Sequence, residues 1–131
     1  MNVTKSLESS FRKSEAQEQT ELINWVNECI VNNIHPELKM LYAIPNGGTR
    51  NKIEAVNLKR QGVVPGVPDL CLAVPKGKYH GLYIEMKVHP NKTTAVQEIW
   101  LKNLSFYGYA VKVCYGCIAA KITLEHYLKL Q

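Results

Sequence analysis

The chain has no long apolar run. None approaches the roughly 20 residues a helix needs to span a bilayer, so a membrane-spanning protein is not expected. Met1 to Gln19 hold no apolar core, so no secretory signal is expected either, and the expected compartment is the cytoplasm. Acidic residues are few. Eleven Asp and Glu against 16 Lys and Arg leave a net charge of +5, which points to a polyanionic partner. Cysteine is sparse as well, at Cys29, Cys71, Cys114 and Cys117. Cys114-x-x-Cys117 lacks a second ligand pair, with His126 at the wrong spacing, so reduced core cysteines are expected rather than a zinc or redox site. There is no internal repeat and no low-complexity segment. The 131 residues therefore read as one domain: a polar, flexible segment 1–13 followed by a single folded unit 14–131.

What the chain does contain centres on Pro68-Asp69 and Glu85-Met86-Lys87. Between them, Leu70 to Val74 and Tyr79 to Ile84 flank the turn-forming Pro75-Lys76-Gly77-Lys78, the pattern of a β-hairpin. A hairpin centred near Gly77 sets Asp69 opposite Glu85, each eight residues from the centre. Side chains alternate along a strand, so Glu85 and Lys87 share one face, and Ile84 and Met86 the other. Two carboxylates and an ammonium then converge where a divalent cation can be held and a water activated. The same trio also suits a solvated sheet face with a weak surface ion pair.

Ser14-Glu15-Ala16-Gln17 is a capping box opening a helix expected to reach about Asn33. Glu15 falls on the stripe of Leu22 and Val26, whereas Glu18 lies to its side, so Glu15 is either a helix-dipole partner or an extra ligand for the site. Met40 to Ile44 reads as a strand ended by the turn Pro45-Asn46-Gly47-Gly48. A second helix, from Thr49 or Arg50 to about Gln61, carries Arg50, Lys52, Lys59 and Arg60 beside a thin apolar face of Ile53 and Val56. These four basic residues are the candidate DNA-phosphate contacts. Thr94-Ala95-Val96-Gln97 is a second capping box, in which Gln97 either caps the backbone or reaches into the site; its helix runs to Gly108. Ala110 to Tyr115 reads as the last strand and Lys121 to Leu130 as the closing helix, whose Ile122, Leu124, Tyr127 and Leu128 suit either a core or a dimer surface. The order α-β-α-β-β-α-β-α predicts an α/β fold with strands three and four parallel in a mixed four-stranded sheet flanked by helices.

From Ser14 to Leu128 the chain resembles the virus-type replication-repair nucleases (VRR-NUC), a branch of the PD-(D/E)xK phosphodiesterase superfamily, and in particular its compact stand-alone phage and prophage members. The resemblance rests on Ser14 to Gln19, Ile44 to Arg50, Leu58 to Val63, Pro65 to Leu70, His80 to Lys87, and Gln97 with Gly108-Tyr109. The loop Val88-His89-Pro90-Asn91-Lys92 differs from the glycine-containing segment usual there. The resemblance implies a restriction-endonuclease-like core and Mg²⁺- or Mn²⁺-dependent hydrolysis of DNA. It implies Asp69, Glu85 and the Met86 carbonyl as metal ligands, Glu15 completing the set, Lys87 as the catalytic lysine and Gln97 positioning water or phosphate. It further implies a phage- or prophage-encoded homodimer that nicks four-way (Holliday) junctions. The alternatives are a flap or nicking nuclease of the same family, or a non-catalytic DNA-binding module keeping the fold.

Overall fold

The computed structural model describes residues 12–45 and 51–131. Residues 1–11 of the expected N-terminal segment, and Asn46 to Arg50 of the turn expected after the first strand and the start of the second expected helix, lie outside the described residues.

Helix α1 spans Glu15–Val31, opened by Ser14, whose hydroxyl accepts from the Gln17 amide while the Gln17 side chain accepts from the Ser14 amide. A 3₁₀ turn over Pro36–Met40 leads into β1, Leu41–Ala43. That turn occupies the first residue of the strand expected at Met40; left-handed His35 and the proline that follows hold the chain in a tight coil until Leu41. Helix α2 covers Lys52–Arg60, with the Asn51 side chain accepting from the Glu54 amide. Strands β2, Leu70–Leu72, and β3, Leu82–Lys87, are followed by α3, Ala95–Phe106, then β4, Ala110–Tyr115, and α4, Cys117–Leu128.

The four strands lie in chain order in one sheet, β1-β2-β3 antiparallel and β3-β4 parallel through α3. Leu70 pairs with Ile84 and Leu72 with Leu82, the register of a hairpin centred at Gly77. Strand β2 stops short of the expected Val74; its carbonyl instead accepts from the Tyr127 hydroxyl at 2.5 Å, and Pro75 then has no N–H to extend the ladder.

One face of the sheet presents Leu70, Leu72, Ile84 and Met86 to Leu22 and Val26 of α1 and to Ala120, Leu124 and Tyr127 of α4, forming the main core. Glu85 leaves β3 on the opposite face and meets Gln97 of α3, so helices cover both faces. Of the closing-helix residues that suit either a core or a dimer surface, Leu124 and Tyr127 are buried, whereas Ile122 is exposed together with Ile118.

Helix α4 begins four residues before the expected Lys121. Its N-cap, Gly116, has φ 93° and no capping side chain, and the Cys117 amide is met by Glu18 Oε2 at 2.8 Å. The capping carboxylate comes from α1, remote in sequence, so no local signal marks this start.

Candidate active site

The site forms where the hairpin, α1 and α3 meet. Extending the observed register one step beyond Leu70 and Ile84 places Asp69 beside Glu85. Asp69 is fixed by the Met86 amide, which donates to its Oδ2 at 2.7 Å. In an extended strand the N–H and C=O of one residue point to the same edge, so the Met86 carbonyl faces Asp69 as well. The neighbouring Lys87 carbonyl points the other way, accepting from the Gly116 amide at 3.1 Å.

Asp69 owes its place to the segment before β2. Gly66 has φ 90°, and a Cβ there would lie 2.4 Å from a Val96 side-chain carbon and 3.1 Å from the Val96 backbone. Only glycine lets this loop lie against the start of α3, and the buried Pro68 then delivers Asp69 to the site.

Glu85 and Lys87 are 2 % and 6 % exposed, so they are not a solvated sheet face. Glu85 Oε1 accepts from Gln97 Nε2 at 2.8 Å and lies 3.9 Å from Lys87 Nζ. Glu85 Oε2 is buried with no hydrogen-bond partner among the described residues. Both expected uses of Gln97 occur in one side chain: its Oε1 accepts from the Thr94 amide at 2.9 Å, closing the capping box, while its Nε2 holds Glu85. Glu15, Gln19, Pro65, Gly66, Asp69, Glu85 and Gln97 line a cleft of about 470 Å³. Asp69, Glu85, Lys87, Glu15 and Gln97 are therefore gathered in one place.

Burial, then the charges of Asp69 and Glu15, push the Glu85 carboxyl up to about 8 despite the opposing Lys87. Between the ordinary carboxylate range and about 8, the folded protein keeps a proton on Glu85 that the unfolded chain has released. Stability of the metal-free protein is therefore expected to fall, by on the order of a few kcal/mol, as pH rises from about 5 to about 8. Glu85→Gln is expected to remove that slope and to be the more stable protein at the alkaline end. Urea denaturation in chelator across this range measures it, and parallel slopes for the two proteins would exclude Glu85 as the source.

Of the candidate DNA contacts, Lys52, Lys59 and Arg60 are not among the residues that line this cleft. Lys52, Lys59 and Arg60 are exposed on α2, which buries no residue of its own. Arg50 lies outside the described residues. The thin apolar face of α2 does not seat the helix, since Ile53 and Val56 are 75 % and 50 % exposed. The four cysteines are free and buried. No helix among the described residues is long and apolar enough to cross a membrane.

Two contacts have no counterpart in the sequence pattern. Glu18, on the flank of the α1 stripe, closes the α4 N-terminus rather than facing solvent. Asn91, in the loop after β3, donates to Glu15 Oε1 at 3.4 Å.

The model of the VRR-NUC domain matches residues 5–117. A solved structure of a VRR_NUC domain protein is similar over 91 % of each chain, with a TM-score of 0.76 and 29 % sequence identity. No curated protein matches the chain. With a match over most of its length and the same fold in a solved relative, the chain belongs to the VRR-NUC family of nucleases.

Proposed function

We infer that the protein is a metal-dependent, structure-selective DNA endonuclease, and that its substrate is a four-way junction cut by a homodimer. The observation that carries the metal dependence is Glu85 Oε2, a carboxylate oxygen buried without a partner among the described residues, beside two further carboxylates. A buried polar atom left so is costly, and a divalent cation offsets that cost. Asp69, Glu85 and Glu15, with the Met86 carbonyl, form an all-oxygen donor set that suits Mg²⁺ or Mn²⁺. When bound, the ion supplies Lewis-acid polarisation of the scissile phosphate and a more acidic water.

The protein's own residues supply the rest. Gln97 and Lys87 occupy Glu85 Oε1, which leaves Oε2 for the cation. The Met86 amide fixes the rotation of Asp69. Lys87 orients the attacking water and balances charge on the phosphate oxygens. The water gives up a proton as its oxygen bonds to phosphorus, one P–O ester bond breaks, and the departing alkoxide takes up a proton, so one proton is released and one consumed. The exposed basic face of α2 contributes phosphate contacts that do not read sequence.

A domain with one such site needs a second copy to cut two strands symmetrically, and a two-fold dimer matches the pseudo-symmetry of a four-way junction. The test is cleavage of linear duplex, flap and four-way-junction DNA in Mg²⁺ or Mn²⁺, with sedimentation alongside. Preferential paired nicking of the junction by a species near twice 14.8 kDa is expected. A monomer preferring flaps or plain duplex would replace the junction reading by that of a flap nuclease. Binding without cleavage of any substrate would leave a DNA-binding module.

A further inference from the structure

The loop after β3 is tied down more tightly than a surface connection requires. Its entry is fixed where the Gly116 amide donates to the Lys87 carbonyl, and the Asn91 amide donates to the Val88 carbonyl at 2.9 Å, closing a turn. The Tyr115 hydroxyl, at the end of β4, donates to the Asn91 carbonyl at 2.9 Å. The His89 ring stacks on Tyr115, with centroids 4.2 Å apart and planes 18° from parallel. The backbone of Asn91 is thus held from two sides, and its side-chain amide is the group that reaches across to Glu15 Oε1.

Glu15 is the member of the cluster most in need of such help. It sits in the first turn of α1, whereas Asp69 is held by the Met86 amide and Glu85 by Gln97. A flexible glutamate on a helix end loses rotamer freedom on joining a metal site, and a fixed donor on one of its oxygens removes part of that cost beforehand.

We propose that Asn91 is a positioning residue which, seated by Tyr115 and His89, holds Glu15 in the orientation that completes the cation site. The proposal rests on the metal-dependent reading above. It makes the loop an outer layer of the site and assigns its action to Glu15 alone. Asn91→Ala removes the amide. Tyr115→Phe removes the hydroxyl that seats the loop while keeping a ring for His89 to stack on.

Mn²⁺ affinity of the DNA-free protein, read from the paramagnetic resonance of free Mn²⁺, tests the proposal without reference to turnover. Each variant is expected to bind Mn²⁺ about 10-fold more weakly, at the lower end of what outer-layer partners of metal ligands contribute. Both should unfold at the wild-type temperature, and cleavage should recover substantially at saturating Mn²⁺. In a Glu15→Ala background, which leaves no side-chain oxygen for the Asn91 amide to hold, Asn91→Ala should have no further effect. Wild-type affinity in Asn91→Ala, or equal losses with and without Glu15, would overturn the proposal. A wild-type protein that neither binds Mn²⁺ nor cleaves would instead overturn the nuclease mechanism beneath it.

Discussion

Asp69→Asn, Glu85→Gln and Lys87→Ala are each expected to slow DNA cleavage by about 10²- to 10⁴-fold while leaving a folded protein that still binds DNA. Asp69→Asn keeps an oxygen to accept from the Met86 amide, so the local backbone has no reason to move. Glu85→Gln removes a carboxylate whose ionisation is opposed by burial and by Asp69, so the fold gains rather than loses. Lys87→Ala deletes a nearly buried ammonium 3.9 Å from Glu85 Oε1 and is the variant whose folding most needs checking by circular dichroism. DNA affinity should persist in all three, since none of them alters the exposed cations Lys52, Lys59 and Arg60 of α2. Single-turnover rates on the preferred substrate decide the matter. Robust cutting by any two variants would remove these residues from the chemistry.

Much of this arrangement is legible in the amino-acid sequence, because its determinants are local. The hairpin register follows from two apolar runs and a Pro/Gly turn, and Leu70 does pair with Ile84. Ser14 and Thr94 open their helices where the capping boxes place them. The features that sequence does not disclose depend on groups far apart in the chain. The start of α4 is hidden because Glu18 caps it from α1. Periodicity puts Gln97 in the first turn of its helix but cannot show that one amide serves two partners, Thr94 with its oxygen and Glu85 with its nitrogen. The link from Asn91 to Glu15 joins a loop to a helix 76 residues earlier, and no spacing rule connects them. The thin apolar face read on α2 stays largely exposed at Ile53 and Val56, with Leu58 half-buried, because so narrow a stripe buries too little to hold the helix against the sheet.

Removing divalent metal should abolish cleavage outright, with Mg²⁺ or Mn²⁺ restoring it. Ca²⁺ is expected to support DNA binding with little turnover, because its larger and more variable coordination sphere positions an attacking water poorly. The donor chemistry sets this expectation: Asp69, Glu85, Glu15 and the Met86 carbonyl offer hard oxygen and no sulfur or imidazole. The thiols provide the contrasting case. Glu18, Glu21 and Cys117 approach one another closely enough to share an ion, but Lys13 already pairs with Glu21 at 2.5 Å and burial pushes the Cys117 thiol up, away from the thiolate a metal requires. Cys114 is turned toward the Thr123 hydroxyl at 3.4 Å. Zinc therefore should not substitute, and Cys114→Ser with Cys117→Ser should leave the Mg²⁺ dependence unchanged. Full activity in chelator, or a zinc requirement lost with those two cysteines, would move the metal chemistry away from Glu85 and leave its buried oxygen without the role assigned to it.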